Sequence, residues 1–378
     1  MGNIYKTLFL AVFIWFASCR IDKRFDNSNG NQILTPYTLN IPAGITAPVI
    51  PADNPLTEEG IALGRKLFYD KILSADNSQA CATCHDLKFG FTDNNNSFST
   101  GIDKIVGTRN AMPLFNLDWK THGMFWDGRS PTMETQVLGP IQNPIEMHQT
   151  LDATVAKLKA HPEYPKLFKQ VFGTANITPE MIGKAIAQFE RTMLSFNSTF
   201  DRNRLSLSRN LSINLQKIAN DTNAFHKISS SIERGMVIFY SPDPTLRFSG
   251  HCSHCHGAKA SGNDILFTDD RFHNNGLVTS DSGRMAFTKN PYDRGFFITP
   301  SLRNLGFTAP YMHDGSLKTL KEVIDHYTNG VQNLSDPTTK TDFSKPLPLT
   351  QSDKDDLLNF LLSLNDTSFA ENPAFKAP

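Results

Sequence analysis

The sequence predicts a mainly α-helical fold, built as two related domains with long loops. Three observations carry that prediction. Apolar residues recur at helical spacing behind recognisable N-caps. Few runs alternate with the period of two that strands need. One five-residue motif, Cys-Xaa-Xaa-Cys-His, occurs twice, each time after a similar helical stretch. The 378 residues suffice for two domains of ordinary size, and 39% hydrophobic residues are enough to build cores. The 22 prolines and 23 glycines point to much irregular chain between helices. Lys+Arg and Asp+Glu both total 37, so the formal net charge is zero and no nucleic-acid partner is expected.

Residues 1–18 have the pattern of a signal peptide. Lys6 supplies a short positive region, and Leu8 to Phe16 is an apolar run well short of the roughly 20 residues that span a bilayer. Ala17 and Ser18 then precede Cys19, an ending that resembles a bacterial lipobox although Phe16 departs from the usual aliphatic residue. The expectation is a periplasmic protein held to a membrane by a lipid on Cys19, with a plain signal peptide as the alternative. Residues 19–50, polar and Pro-rich, read as a tether and N-terminal arm.

Apart from Cys19, the five cysteines form two pairs, each followed at once by histidine: Cys81, Cys84 and His85, then Cys252, Cys255 and His256. The chemistry of haem c attachment asks for this spacing. A CxxC turn sets two sulfurs along one haem edge for the two vinyl groups, and the adjacent His reaches the iron from the proximal side. A four-Cys zinc site leaves both histidines unexplained, and a thioredoxin-like motif lacks its βαβ context. The fold class is therefore two cytochrome c-like haem domains, with two haem c as cofactors.

The elements follow in order. Thr57 caps a helix with Glu58 and Glu59 in its first turn and Leu63 and Leu67 on one face. Ser230 and Glu233 form a capping box before ERGMVIFY and the second motif. Both blocks share a helix, a Gly, an aromatic end and then CxxCH, a weak internal repeat that argues for duplication. Thr178-Pro179 opens a helix striped by Ile182, Ala185, Ile186, Phe189 and Met193. Thr350 opens the last helix, striped by Leu357, Phe360, Leu361 and Leu364. Residues 51–202 are expected as the first haem domain and 230–378 as the second. The Ser/Asn-rich stretch 203–229 between them reads as a linker or long surface loop.

What faces each iron opposite its histidine decides between electron shuttling and peroxide binding. In the second half, Thr319 and Glu322 form a capping box, and Leu320, Val323, Ile324 and Tyr327 fall on one face. Tyr327 is thus a candidate sixth ligand, with Met312 and His313 as rivals and His326 turned about 100° away. In the first half, Glu146 sits in a tight, apolar-flanked segment where a carboxyl could move a proton between peroxide oxygens. Trp126, in the same block, offers an aromatic body and an indole N–H.

Both CxxCH motifs, RNAMPLFN, FWDGR, GPIQNPIEM, SLRNLGFTAPYMHDGS and the closing helix run in one order from about Thr57 to Asp366. Together they resemble the bacterial di-haem cytochrome c peroxidase family, which includes MauG. The resemblance implies that His85 serves an N-terminal, peroxide-binding haem and His256 a C-terminal, electron-transfer haem. It makes Glu146 the distal acid, Gln136 and Pro140 its pocket neighbours, and Trp126 a relay between the haems. It places a calcium ion at the Asn110 side chain and the carbonyls of Thr308 and Pro310, oxygen ligands that suit a hard cation.

Three departures qualify the match. Most members carry Met fourteen residues after the His of the APY block, and that position here is Tyr327. Such members also have a His that blocks the first haem at rest, and 97–110 holds none. MauG has a Trp two residues before its second CxxCH, and that position here is Gly250.

The leading expectation is an oxidoreductase reducing hydrogen peroxide with electrons from a small periplasmic donor, a cytochrome c or a cupredoxin. A MauG-like oxidase of a protein or organic substrate and a non-enzymatic di-haem carrier are the alternatives. Relatives of this kind often pair, so a homodimer is also in view.

Overall fold

Each long helix starts where the sequence offers an oxygen to amides that would otherwise lack a partner. Thr57 caps Glu58–Tyr69, Thr178 caps Pro179–Arg191, Thr319 caps Leu320–Thr328 and Thr350 caps Gln351–Leu362. At Thr319 the box closes in both directions with Glu322. At Ser230 only half of the expected box forms. Ser230 accepts the amide of Glu233, but the Glu233 carboxylate accepts from Asn210 Nδ2 at 2.8 Å instead of returning to the cap. The computed structural model describes residues 33–241, 246, 248–257, 264–329 and 346–378, together with the strand Phe25–Asp26. The signal segment and Cys19 lie outside the described residues, and no helix among those described is long and apolar enough to cross a membrane.

Two helix pairs make two cores. In the first, Glu58–Tyr69 packs on Pro179–Arg191, burying Leu63, Leu67 and Phe68 against Ile182, Ile186 and Phe189. In the second, Ser231–Tyr240 packs on Gln351–Leu362, burying Val237 and Phe239 against Leu357, Phe360 and Leu364. Both crossings depend on a glycine. A Cβ on Gly64 would stand 1.9 Å from the carbonyl oxygen of Ala185, and one on Gly235 would stand 2.1 Å from that of Asp356. The glycine common to the two sequence blocks is therefore the point where backbones touch, once in each half. Among the described residues, sheet is confined to two antiparallel ribbons, Phe25–Asp26 with Ile33–Leu34 and Phe272–His273 with Phe297–Ile298.

The stretch 203–229 is not a loop. Thr199–Asn220 is one 22-residue helix, followed by the 3-10 helix Thr222–Lys227. Phe200, Leu207, Leu211, Leu215 and Ile218 form its apolar stripe and pack on the second core. Helical spacing of five apolar residues outweighs the Ser/Asn composition between them.

The expected domain end also changes. Gln351–Leu362 is not the last helix: Thr367–Glu371 and the 3-10 helix Pro373–Phe375 follow and cross back to the first core. There Phe369 meets Phe91 and Phe115 edge-on at 6.0 and 5.6 Å. Arg65 donates to the carbonyls of Pro373 and Lys376 at 2.9 and 2.6 Å. Residues 367–378 thus belong with the first half, not with 230–366. The arm is tied down as well, through Glu58 N to Thr35 O and Trp119 Nε1 to Thr46 O.

Candidate active site

The two CxxCH turns are built alike. Cys81–Cys84 and Ser253–His256 are single helical turns, and each motif histidine donates from Nδ1 to a backbone carbonyl. His85 Nδ1 lies 2.6 Å from Phe91 O, and His256 Nδ1 lies 3.0 Å from Phe267 O. A carbonyl accepts, so Nδ1 carries the proton and Nε2 is left as the ligand atom, the arrangement that orients a metal-binding imidazole. Burial holds both rings neutral: the His85 pKa is lowered, and that of His256 is pushed down to about 4, in each case against the pull of the carbonyl. The residues fit a covalently held haem on each side.

A cavity of about 1030 Å³ opens beside the first turn. Cys81, Cys84 and His85 line it, and so do Trp126, Gln136, Pro140 and Glu146. Every residue that the sequence assigned to the first haem thus meets at one space. Asn143 Nδ2 donates to Glu146 Oε1 at 2.6 Å. Burial raises the Glu146 pKa, while Asn143 and the nearby Arg129 hold it back.

Glu190 lines the same cavity and was not singled out from the sequence. Its side chain is buried, its Oε2 has no hydrogen-bond partner among the described residues, and burial pushes its pKa up to about 8 against the opposing charge of Arg191. Arg191 is taken up by Asp118 at 3.0 Å and Glu134 at 2.7 Å, so one guanidinium faces three carboxyls. The available signal was the Glu-Arg pair at the end of the helix that Ile182, Ala185, Ile186 and Phe189 stripe.

In the second half, Tyr327 and Met312 converge on Asn275, whose Nδ2 lies 3.3 Å from Tyr327 Oη and 3.4 Å from Met312 Sδ. Burial pushes the Tyr327 phenol up to about 12; Asn275 opposes that shift and the Cys255 and Cys252 thiols add to it. His313 is engaged elsewhere, stacked on Phe297 at 3.7 Å with Nε2 3.2 Å from Thr279 Oγ1. His326, turned about 100° from Tyr327 on the same helix, is itself buried, with Nε2 3.1 Å from Asn275 O, because the loop carrying Asn275 covers a second face of the helix.

The halves repeat around these residues. Met124 pairs with Ser130 and Tyr311 with Leu317 as isolated bridges, enclosing FWDGR and MHDGS. Phe125 and Met312 share a positive φ of 66° and 72°. Trp126 and His313 are therefore equivalent, and fourteen residues beyond each stand Pro140 and Tyr327. The position that offers a phenol oxygen in the second half offers no ligand atom in the first.

Trp126 also ties the halves together. Its indole N–H donates to Asn110 O at 2.8 Å, Asn110 N donates to His313 O at 2.7 Å, and Ile298 N donates to Trp126 O at 2.9 Å. Arg109 bridges Asp127 and Asp281 at 2.7 and 2.6 Å. Asn110 Nδ2 donates to the carbonyls of Asn96 and Ser97 at 3.1 and 3.2 Å, which leaves its Oδ1 without a hydrogen bond among the described residues. Thr308 and Pro310 flank a cis Ala309–Pro310 peptide bond.

Over 324 residues the chain is 35% identical to the methylamine utilization protein MauG of Methylorubrum extorquens, a match covering 83% of this chain and 80% of that protein. A family model described as di-haem cytochrome c peroxidase matches residues 58–207. The chain belongs to the di-haem cytochrome c peroxidase family. Within it, the chain is 32% identical to the cytochrome c551 peroxidase of Nitrosomonas europaea, covering 86% of this chain and 88% of that one. The crystal structure of a MauG-like protein associated with microbial copper homeostasis is 32% identical and aligns over 90% of this chain and 99% of its own, with a TM-score of 0.74. The family is di-haem, and the cofactors of this chain are accordingly two haem c.

Proposed function

We propose that this protein is a di-haem peroxidase that reduces hydrogen peroxide to water with electrons from a small donor. The observation that carries this reading is the half-buried Glu146 carboxyl, held by Asn143, on the wall of the cavity that His85 lines. Haem on His85 supplies an iron that can bind peroxide and receive electrons. Glu146 takes the proton from one peroxide oxygen and returns it to the other, so that the leaving oxygen departs as water. Gln136 and Pro140 shape the space around the oxidant. Two electrons and two protons complete the reduction to two waters.

The haem held by His256 would take up the electrons, and Trp126 would stand on their way to the haem held by His85. The hydrogen bonds from His313 through Asn110 to the indole support that route. Tyr327 would hold the iron at His256 as its sixth ligand, whereas Pro140 at the equivalent place has no side-chain ligand atom to offer at His85. Calcium would be held by Asn110, Thr308 and Pro310 at the same seam; the Asn110 Oδ1 suits it. The donor is a cytochrome c or a cupredoxin, the compartment is the periplasm, and Cys19 carries the anchor. The signal pattern and the small-small-Cys ending support the last two points.

A MauG-like oxidase is the second reading, favoured by Tyr327 and by the similarity to MauG. Gly250 weighs against it. A side chain there would begin 3.1 Å from Ile238 and 3.3 Å from Cys252 Sγ, closer than most such contacts.

Steady-state turnover of peroxide with reduced cytochrome c tests the proposal. Glu146→Gln should cut turnover by about 10²–10⁴-fold, the usual worth of a positioned acid–base group. Unchanged turnover would remove the mechanism. Absence of peroxidase activity together with a long-lived oxidised state would move the assignment to the second reading.

A further inference from the structure

Asn275 is held from several sides at the second site. Its Oδ1 accepts the amide of Leu277 at 3.3 Å, its main-chain carbonyl receives His326 Nε2 at 3.1 Å, and the strand just before it, Phe272–His273, is paired to Phe297–Ile298. The bond to Leu277 decides which way the carboxamide faces. An N–H must donate to an oxygen, so Oδ1 is turned toward Leu277 and the Nδ2 group toward Tyr327 and Met312. Of those two acceptors, the thioether sulfur is weak and the phenol oxygen is strong, the more so when ionised. Nδ2 donates accordingly to Tyr327 Oη at 3.3 Å.

We propose that Asn275 is a positioning residue for the C-terminal haem: by donating to the ligating oxygen of Tyr327 it draws charge from that ligand and raises the potential of the iron. The inference rests on the reading of Tyr327 as sixth ligand. A phenolate stabilises the oxidised iron by donating charge, and a hydrogen bond to the phenolate oxygen withdraws part of that donation. Met312 is then a neighbour of the ligand and not a competitor. Asn275 is not predicted from the family motifs; its neighbour Asn274 makes a like turn, with its own Oδ1 on Gly276 N at 3.0 Å.

Potentiometric titration and ferric absorption spectra of the fully loaded protein test the proposal. Asn275→Leu and Asn275→Ala should keep both haems on a haem-stained denaturing gel. Both should lower the potential of the C-terminal haem and move its phenolate-to-iron charge-transfer band to longer wavelength. Met312→Leu should change neither quantity. In a Tyr327→Phe background, Asn275→Leu should produce no further shift, since the coupling between the two positions is what the variants remove. If Tyr327→Phe alone leaves spectrum and potential unchanged, the ligand assignment fails. If Tyr327→Phe alters both but the two Asn275 variants match the native protein, the assignment stands and the role of Asn275 is refuted.

Discussion

Asn143 and Glu146 face one another within a single tight turn, the amide of the first donating to the carboxyl of the second at 2.6 Å. The bond favours the ionised carboxylate, against a burial that favours the neutral acid. Asn143→Ala therefore raises the Glu146 pKa further. Fewer molecules carry the carboxylate at a given pH, and the acid limb of kcat/KM for peroxide moves to higher pH. A pH–rate profile with its acid limb unmoved would show that Asn143 has no influence on this group.

Glu190 carries a pH dependence of stability whose sign follows from its burial. Its folded pKa of about 8 lies above the ordinary 4.5. Its contribution is thus complete below about pH 4.5 and is lost as pH rises through about 8. Glu190→Gln should melt at a higher temperature than the native protein at pH 8, and the difference should shrink toward pH 5. Asp118, pushed up to about 7 mainly by burial, leaves a residual slope of the same sign in the variant. A difference in melting temperature that is constant across this range would contradict the account.

Trp126→Phe removes the indole donor to Asn110 O but keeps a ring in place. Electron passage from the C-terminal to the N-terminal haem should slow, with both resting spectra preserved. Rapid reduction followed by time-resolved absorption reads that rate directly. Equal rates in both proteins would place the route elsewhere.

Phe369→Ala opens a hole among Phe91, Phe115 and Phe375, the first two of which lie far from it along the chain. The cost expected for a buried Phe-to-Ala change is about 3–5 kcal/mol. Denaturant titration should show the loss on the transition that unfolds the core around the His85 haem. A loss confined to the His256 haem would mean that the segment serves the second half instead.

Much of the site was legible because covalent chemistry sets rigid spacings. CxxCH marks both haems, and caps such as Thr57 and Thr319 announce helix starts with a single side chain. The Thr199–Asn220 helix was missed because Ser and Asn dominate the composition, although Phe200, Leu207, Leu211, Leu215 and Ile218 keep helical register through it. The burial of His326 was not legible for a different reason: a helical wheel knows one buried face, and the loop at Asn275 covers another. Glu190 was hidden because sequence cannot tell a buried carboxyl from a solvated one beside an arginine. Asn275 and Tyr327 lie 52 positions apart, and only the folded chain brings them together.

The return of Phe369 and Phe375 to the first core bears on the order of assembly. While the chain is still being made, its leading half lacks two rings of its own aromatic cluster, and Arg65 lacks the carbonyls that it will hold. The half that carries His85 therefore closes last at that edge, after the half that carries His256 has been delivered. Excising it as an autonomous module requires a third piece, the distal segment, supplied in trans or spliced on.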